Sequence, residues 1–166
     1  MKTDQNLAEA FSGESQANRK YLAYGEAAGK DGLPQVAKLF RAVAAAETIH
    51  AHAHLRAMGG IKATAENLKT AISGERHEFE AMYPAFVATA EAEGAKLALI
   101  SMKRAMEVEK VHHGLFVDAL EAVENGKDLT DGSIHVCTIC GHTVIGDVPD
   151  QCPVCKAKAG MFTEIV

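Results

Sequence analysis

The sequence predicts a mainly α protein, a four-helix bundle followed by a small β/loop module built around a metal. Three observations carry this. The first 126 residues contain no cysteine and read as long amphipathic stretches rich in Ala, Glu and Lys. All four cysteines fall in the last thirty residues, as Cys137-Thr-Ile-Cys140 and Cys152-Pro-Val-Cys155. Two Glu-x-x-His motifs, Glu47 to His50 and Glu109 to His112, lie on the apolar stripes of predicted helices.

Four helices are expected in order. The first spans about 4–29, with Thr3 as N-cap and Gly29 to Gly32 as the stop. The second starts at Pro34, a good first-turn residue, and ends at Gly59-Gly60. The third follows Thr64 as N-cap and runs to Gly94, with Pro84 inside it as a kink or a local unwinding. The fourth covers about 95–125 and stops at Gly126. At about 1.5 Å per residue each is roughly 40 Å long, which suits a bundle of matched helices. The short second connector fits an antiparallel hairpin, and it equally fits helices exchanged between two subunits. Composition changes at Asn125-Gly126-Lys127-Asp128, so the bundle is assigned to residues 1–130 and the cysteine module to 133–166.

Net charge and hydropathy narrow the function classes. The chain carries 17 Lys and Arg against 22 Asp and Glu, a net charge of −5, and has no basic stripe to neutralise phosphates. Nucleic acid is therefore not the expected partner. No run of 18 apolar residues offers a membrane span, and the first residues lack the apolar core of a signal peptide. A cytoplasmic, reducing location follows, where clustered cysteines are metal ligands rather than disulfides.

The informative residues are charges on apolar stripes. Glu14 has Leu7, Ala10, Phe11, Ala17 and Tyr21 as its helical neighbours, and Glu75 has Leu68, Ala71, Ile72, Phe79 and Met82. Glu47 and Glu109 sit equally among apolar neighbours, so all four glutamates point into the predicted core. The pattern repeats, since Glu14 precedes Glu47 by 33 residues and Glu75 precedes Glu109 by 34. Positions i and i+3 share a helix face, so each Glu-x-x-His can serve one metal. One Glu from each of two helices plus Glu-x-x-His from each of the others is the ligand set of dimetal carboxylate bundles. Glu78 is surplus, because its counterpart in the first half is Ala17. Five buried carboxylates are untenable without compensating charge, and two divalent cations supply it. Oxygen and imidazole ligands suit iron or manganese without excluding zinc. His52, His54, His77 and His113 lack matched partners and read as a polar face. Tyr21 and Tyr83 stand near the metal ligands in sequence, either as pocket residues or as core residues with satisfied hydroxyls.

Two Cys-x-x-Cys knuckles, eleven residues apart, can hold one metal tetrahedrally. Spacing alone favours structural zinc. A redox-capable dimetal site on the same chain favours one-electron iron.

Together these residues resemble the rubrerythrin family over essentially the whole chain. The resemblance rests on Gly13-Glu14-Ser15-Gln16-Ala17, Glu47-x-x-His50, Gly74-Glu75-x-x-Glu78 with Met82-Tyr83-Pro84, Glu109-x-x-His112 and the rubredoxin-like cysteine pairs. It implies a ferritin-like bundle holding two iron ions and a rubredoxin-like Fe(Cys)4 domain. It also implies a peroxidase that reduces hydrogen peroxide to water in oxidative-stress defence. The expected electron source is a separate NAD(P)H-dependent reductase, directly or through rubredoxin. Homodimers are expected, with the rubredoxin-like iron of one subunit near the di-iron site of the other. By the same resemblance Glu47 and Glu109 bridge the irons, Glu14 and Glu75 are terminal ligands, and His112 holds one iron. Glu78 and His50 compete for the other, Glu78 being exchanged for His50 on reduction. Tyr21 or Tyr83 orients or donates protons. One departure is visible, since Lys156 follows the second knuckle where stand-alone rubredoxins usually have Gly. The alternative reading is a ferroxidase or iron-handling protein with a structural zinc ribbon; a third is a metal-dependent binding module without turnover.

Overall fold

The computed structural model describes residues 1–130 and 132–166; Asp131, in the predicted linker, lies outside the described residues. The chain divides into two compact units, Met1–Lys62 and Ala63–Val166.

The first unit is a helical hairpin of α1 (Lys2–Lys30) and α2 (Pro34–Ala57). Its seam is made of small residues. Ala37, Ala44 and Ala51 of α2 are buried at heptad spacing, opposite Asn18, Gly25 and Ala28 of α1. A Cβ on Gly25 would stand 3.3 Å from the Ala37 carbonyl oxygen, so glycine is what lets the helices approach there. Asn18 locks the register. Its Nδ2 donates to the Ala44 carbonyl at 2.7 Å and to Thr48 Oγ1 at 2.8 Å. Pro34 opens α2 as expected. Thr3 does not cap α1, because the helix already starts at Lys2 and Thr3 lies within its first turn.

The second unit contains α3 (Thr64–His77), a π-helical turn (Glu78–Met82), α4 (Tyr83–Ala92) and α5 (Lys96–Glu124). Thr64 is the first helical residue, and Ala63, with extended backbone, takes the N-cap position. The disturbance expected at Pro84 falls one turn earlier. Pro84 has no N–H to donate into a continuing helix. The chain instead widens into the π turn, where the Tyr83 N–H reaches the Glu78 carbonyl, and Pro84 sits in the first turn of α4. α3 and α4 both pack on α5.

After α5 come β1 (Ile134–Cys137), β2 (Thr143–Ile145) and β3 (Phe162–Ile165), in an antiparallel sheet of order β2-β1-β3. His135 of β1 faces Val144 on one side and Glu164 on the other. The module packs on α5 around the buried Val108. Among the described residues no helix is long and apolar enough to cross a membrane.

Replacing Asn18 with Ala removes two hydrogen bonds, one buried and one half-buried, that join α1 to α2. The expected cost is about 1–3 kcal/mol, read as a lower denaturation midpoint in urea with an unchanged slope.

Candidate metal centres

The repeated sequence pattern becomes two three-ligand clusters, one in each unit. In the hairpin, Glu14, Glu47 and His50 bring their ligand atoms within 4.8 Å of one another. His50 Nδ1 lies 2.9 Å from Glu47 Oε2 and 3.9 Å from Glu14 Oε1. In the second unit Glu75, Glu109 and His112 form the matching cluster. His112 Nδ1 lies 2.7 Å from Glu109 Oε2 and 3.9 Å from Glu75 Oε2. In both clusters the Glu-x-x-His spacing places the Nδ1 edge of the ring against the carboxylate one turn earlier.

The donor set of the second cluster fits a cation. His112 Nε2 faces the Gly141 carbonyl at 3.3 Å and Thr143 Oγ1 at 3.1 Å. The Thr143 hydroxyl itself donates to the Gly141 carbonyl at 3.1 Å, so its oxygen is free to accept. A hydrogen on Nε2 would be accepted by these oxygens and would leave Nδ1 facing the Glu109 carboxylate. Two lone pairs at 2.7 Å repel unless a proton or a metal stands between them. Glu75 Oε2 is buried without a hydrogen-bond partner, and a cation would satisfy it. Burial first, then the Glu109 carboxylate, push the Glu75 carboxyl up to about 7.

Glu78 stands outside both three-ligand clusters, as the first residue of the π turn. Burial and then the charge of Glu109 raise its carboxyl above the ordinary value. Tyr83, at the far end of that turn, is raised by burial and then by the carboxylates of Glu109, Glu78 and Glu75. It therefore lies within electrostatic reach of the second cluster. Tyr21 packs in the hairpin against Phe40 and Tyr24, at ring-centroid distances of 6.1 and 6.4 Å. His113 packs edge-on against Phe79, and His52 is exposed.

The four cysteines form the third centre. Cys137 Sγ lies 3.6 Å from Cys155 Sγ, and Cys140 Sγ lies 3.6 Å from Cys152 Sγ. Thiolates about 2.3 Å from one tetrahedral metal stand about 3.8 Å apart. A disulfide requires about 2.05 Å. Burial acts to raise the Cys152 thiol, but the N–H groups of Cys155 and Val154 outweigh it and bring the group down to about 7. Burial pushes Cys140 up to about 12 and raises Cys155. A metal that replaces the thiol protons removes this conflict.

Sequence reasoning missed the contact of His112 with Gly141 and Thr143. It spans 29 and 31 residues and leaves no periodic signal. This contact is made within one chain. His112 lies 12 residues before the end of α5, about 18 Å at 1.5 Å per residue, and the module after the linker folds back over that distance.

Paired Glu and Glu-x-x-His clusters on long helices, followed by a tetrathiolate module, define a dimetal carboxylate protein with an appended mononuclear centre. Comparison with known proteins gives the family. The rubrerythrin family model matches residues 5–120, and the rubrerythrin rubredoxin-like domain model matches residues 135–163. Rubrerythrin-2 of Clostridium acetobutylicum is 35% identical, covering 94% of this chain and 92% of that protein. Nigerythrin of Nitratidesulfovibrio vulgaris is 33% identical, covering 97% and 85%. Among solved structures, partially reduced nigerythrin aligns with a TM-score of 0.60 at 32% identity, over 98% of this chain and 86% of that one. The chain belongs to the rubrerythrin family, with a di-iron domain and a rubredoxin-like four-cysteine site. Membership places it among di-iron proteins of oxidative stress and makes it an oxidoreductase.

The second cluster should make stability depend on pH. Glu75 has a raised carboxyl in the folded, metal-free chain, so its protonated form is favoured by folding. Its contribution to stability is full below pH 4.5, the ordinary value, and is lost as pH rises through about 7. Metal-free protein is therefore expected to weaken between those limits in denaturant titrations. Glu75→Gln should flatten that dependence. Separately, Thr143→Val removes one acceptor for His112 Nε2 and should weaken metal binding at His112 by about tenfold, measured by competition with a chelator.

Proposed function

We propose that this protein is a peroxidase that reduces hydrogen peroxide to water, with electrons entering through the iron of the four-cysteine site. The reaction consumes one peroxide, two electrons and two protons and gives two waters. The observation that supports the route is the hydrogen bond of His112 Nε2 to the carbonyl of Gly141. Gly141 is bonded directly to Cys140, so one hydrogen bond and a short covalent stretch join a thiolate ligand to a di-iron ligand.

In this reading the two three-ligand clusters would hold the irons, and bound iron would supply the electrons for cleavage of the O–O bond. By the family resemblance Glu47 and Glu109 would be the shared ligands, Glu14 and Glu75 would each serve one iron, and His112 would hold one of them. Glu78 and His50 are alternative ligands of the other. The carboxylate suits the harder ferric ion and the neutral imidazole the ferrous ion. The widened turn that begins at Glu78 supports this role, since π turns are frequent at functional sites and re-aim the side chains they carry. Tyr83 is the better-placed proton donor of the two tyrosines. Burial first, and then the charges of Glu109, Glu78 and Glu75, raise its hydroxyl, whereas the Tyr21 ring packs against Tyr24 and Phe40. A cavity of about 420 Å³, lined mostly by apolar side chains, opens beside Glu75 and His112.

The expected physiological donor is an NAD(P)H-dependent reductase in the reducing cytoplasm, acting directly or through rubredoxin, on a homodimeric protein. The test is anaerobic stopped-flow absorbance of the fully reduced, metal-quantified protein, mixed separately with hydrogen peroxide and with dioxygen. Fast return of the oxidised Fe(Cys)4 colour with peroxide, and slow return with dioxygen, is expected. The reverse order supports the ferroxidase reading instead. Glu78→Ala should slow peroxide turnover by about tenfold or more while leaving iron content near that of the parent. Equal loss of iron and turnover would reduce Glu78 to a structural ligand.

A further inference from the structure

The two knuckles of the cysteine module are built alike, except at one position. In the first, Gly141 follows Cys140, adopts φ +86°, and donates its N–H to the Cys137 carbonyl at 2.8 Å. In the second, Lys156 follows Cys155, adopts φ +64°, and donates its N–H to the Cys152 carbonyl at 3.0 Å. Lys156 is the one non-glycine residue with positive φ among the described residues. A side chain in the left-handed region costs stability relative to glycine, because Cβ crowds the following carbonyl. The geometry of the turn requires left-handed backbone at this position, and glycine meets that requirement in the other knuckle.

The lysine is also held in place. Its Nζ turns back over the knuckle and donates to the Pro153 carbonyl at 2.9 Å. Its own carbonyl accepts from Gln151 Nε2 at 2.9 Å. All three polar groups of Lys156 therefore bind the segment 151–156 that carries Cys152 and Cys155. The ammonium is hydrogen-bonded to the loop that joins Cys152 to Cys155.

We propose that Lys156 is a potential-setting residue of the tetrathiolate iron, a fixed positive charge that favours its reduced state. An iron held by four thiolates carries a net charge of −1 when ferric and −2 when ferrous. A nearby cation stabilises the more negative form more strongly, so it raises the reduction potential. The consequence is directional. A raised potential eases electron entry from an external donor and lessens the drive for onward transfer. The inference needs only iron at the four-cysteine site and does not depend on peroxide as the substrate.

The experiment is spectroelectrochemical titration of the mononuclear iron in the full-length, iron-loaded protein, followed by its visible absorbance. Lys156→Gln removes the charge and keeps the backbone cost. Lys156→Gly removes both, and Lys156→Arg keeps the charge. The potential should fall in the Gln and Gly variants by similar amounts and stay near the parent value in the Arg variant. The Gly variant should also release its metal to a chelator more slowly than the Gln variant, since its turn is relaxed. Because Lys156 is solvent-exposed, the difference from the parent should be largest at about 0.01 M salt. It should shrink towards about 1 M, where the screening length falls from about 30 Å to about 3 Å. Potentials that coincide for parent, Gln and Gly proteins at low salt would overturn the proposal. So would a fall in the Gly variant alone, which would assign the effect to the turn and not to the charge.

Discussion

Carboxylates drawn together on helix faces that otherwise carry apolar residues govern how this protein is built. In the second unit Glu75 and Glu109 share a pocket with His112, and Glu75 Oε2 is buried without a hydrogen-bond partner. Without metal, the cluster relieves itself by holding on to protons, which is why the Glu75 carboxyl is raised to about 7. With metal, the same oxygens become ligands and the penalty becomes binding energy. The long helices, their matched ligand positions and the π turn at Glu78 all serve to present these groups.

The same logic extends to the cysteine module. Four sulfurs at tetrahedral spacing are strained as thiols, with Cys140 pushed up and Cys152 drawn down. The two chemistries then meet at His112. One ring edge faces carboxylates and the other faces the backbone of the first knuckle. A histidine is suited to this, because fixing the hydrogen on one nitrogen frees the lone pair of the other for metal. The ring therefore joins the Glu75–Glu109 cluster to the backbone of the cysteine module.

Packing in the hairpin shows what the helices give up to present these ligands. The seam between α1 and α2 is made of alanine and glycine, with Asn18 as its polar lock. Small residues bring the helices close without filling the face that carries Glu14, Glu47 and His50. The Pro84 disturbance works similarly in the second unit. It costs a regular helical turn and places Glu78 at the head of a widened one.

Much of the architecture was legible in the residues. Apolar periodicity, glycine stops and Pro34 mark the helices, because local backbone preference and burial period are properties of short segments. Glu-x-x-His and Cys-x-x-Cys mark candidate metal ligands for the same reason, since three or four residues suffice to put donors on one face. The division at Lys62 was not legible, nor was the place where the disturbance around Pro84 begins, at Glu78. The hydrogen bonds of His112 to Gly141 and Thr143 were also invisible, as was the left-handed backbone that Lys156 shares with Gly141. Each of these depends on groups distant in sequence, or on a turn whose shape is fixed by a metal-binding loop as a whole. Short-range spacing was enough to say which side chains offer metal-ligating atoms. How the cysteine module meets His112 emerged only with the fold, because that contact is set by the path of the chain back along α5.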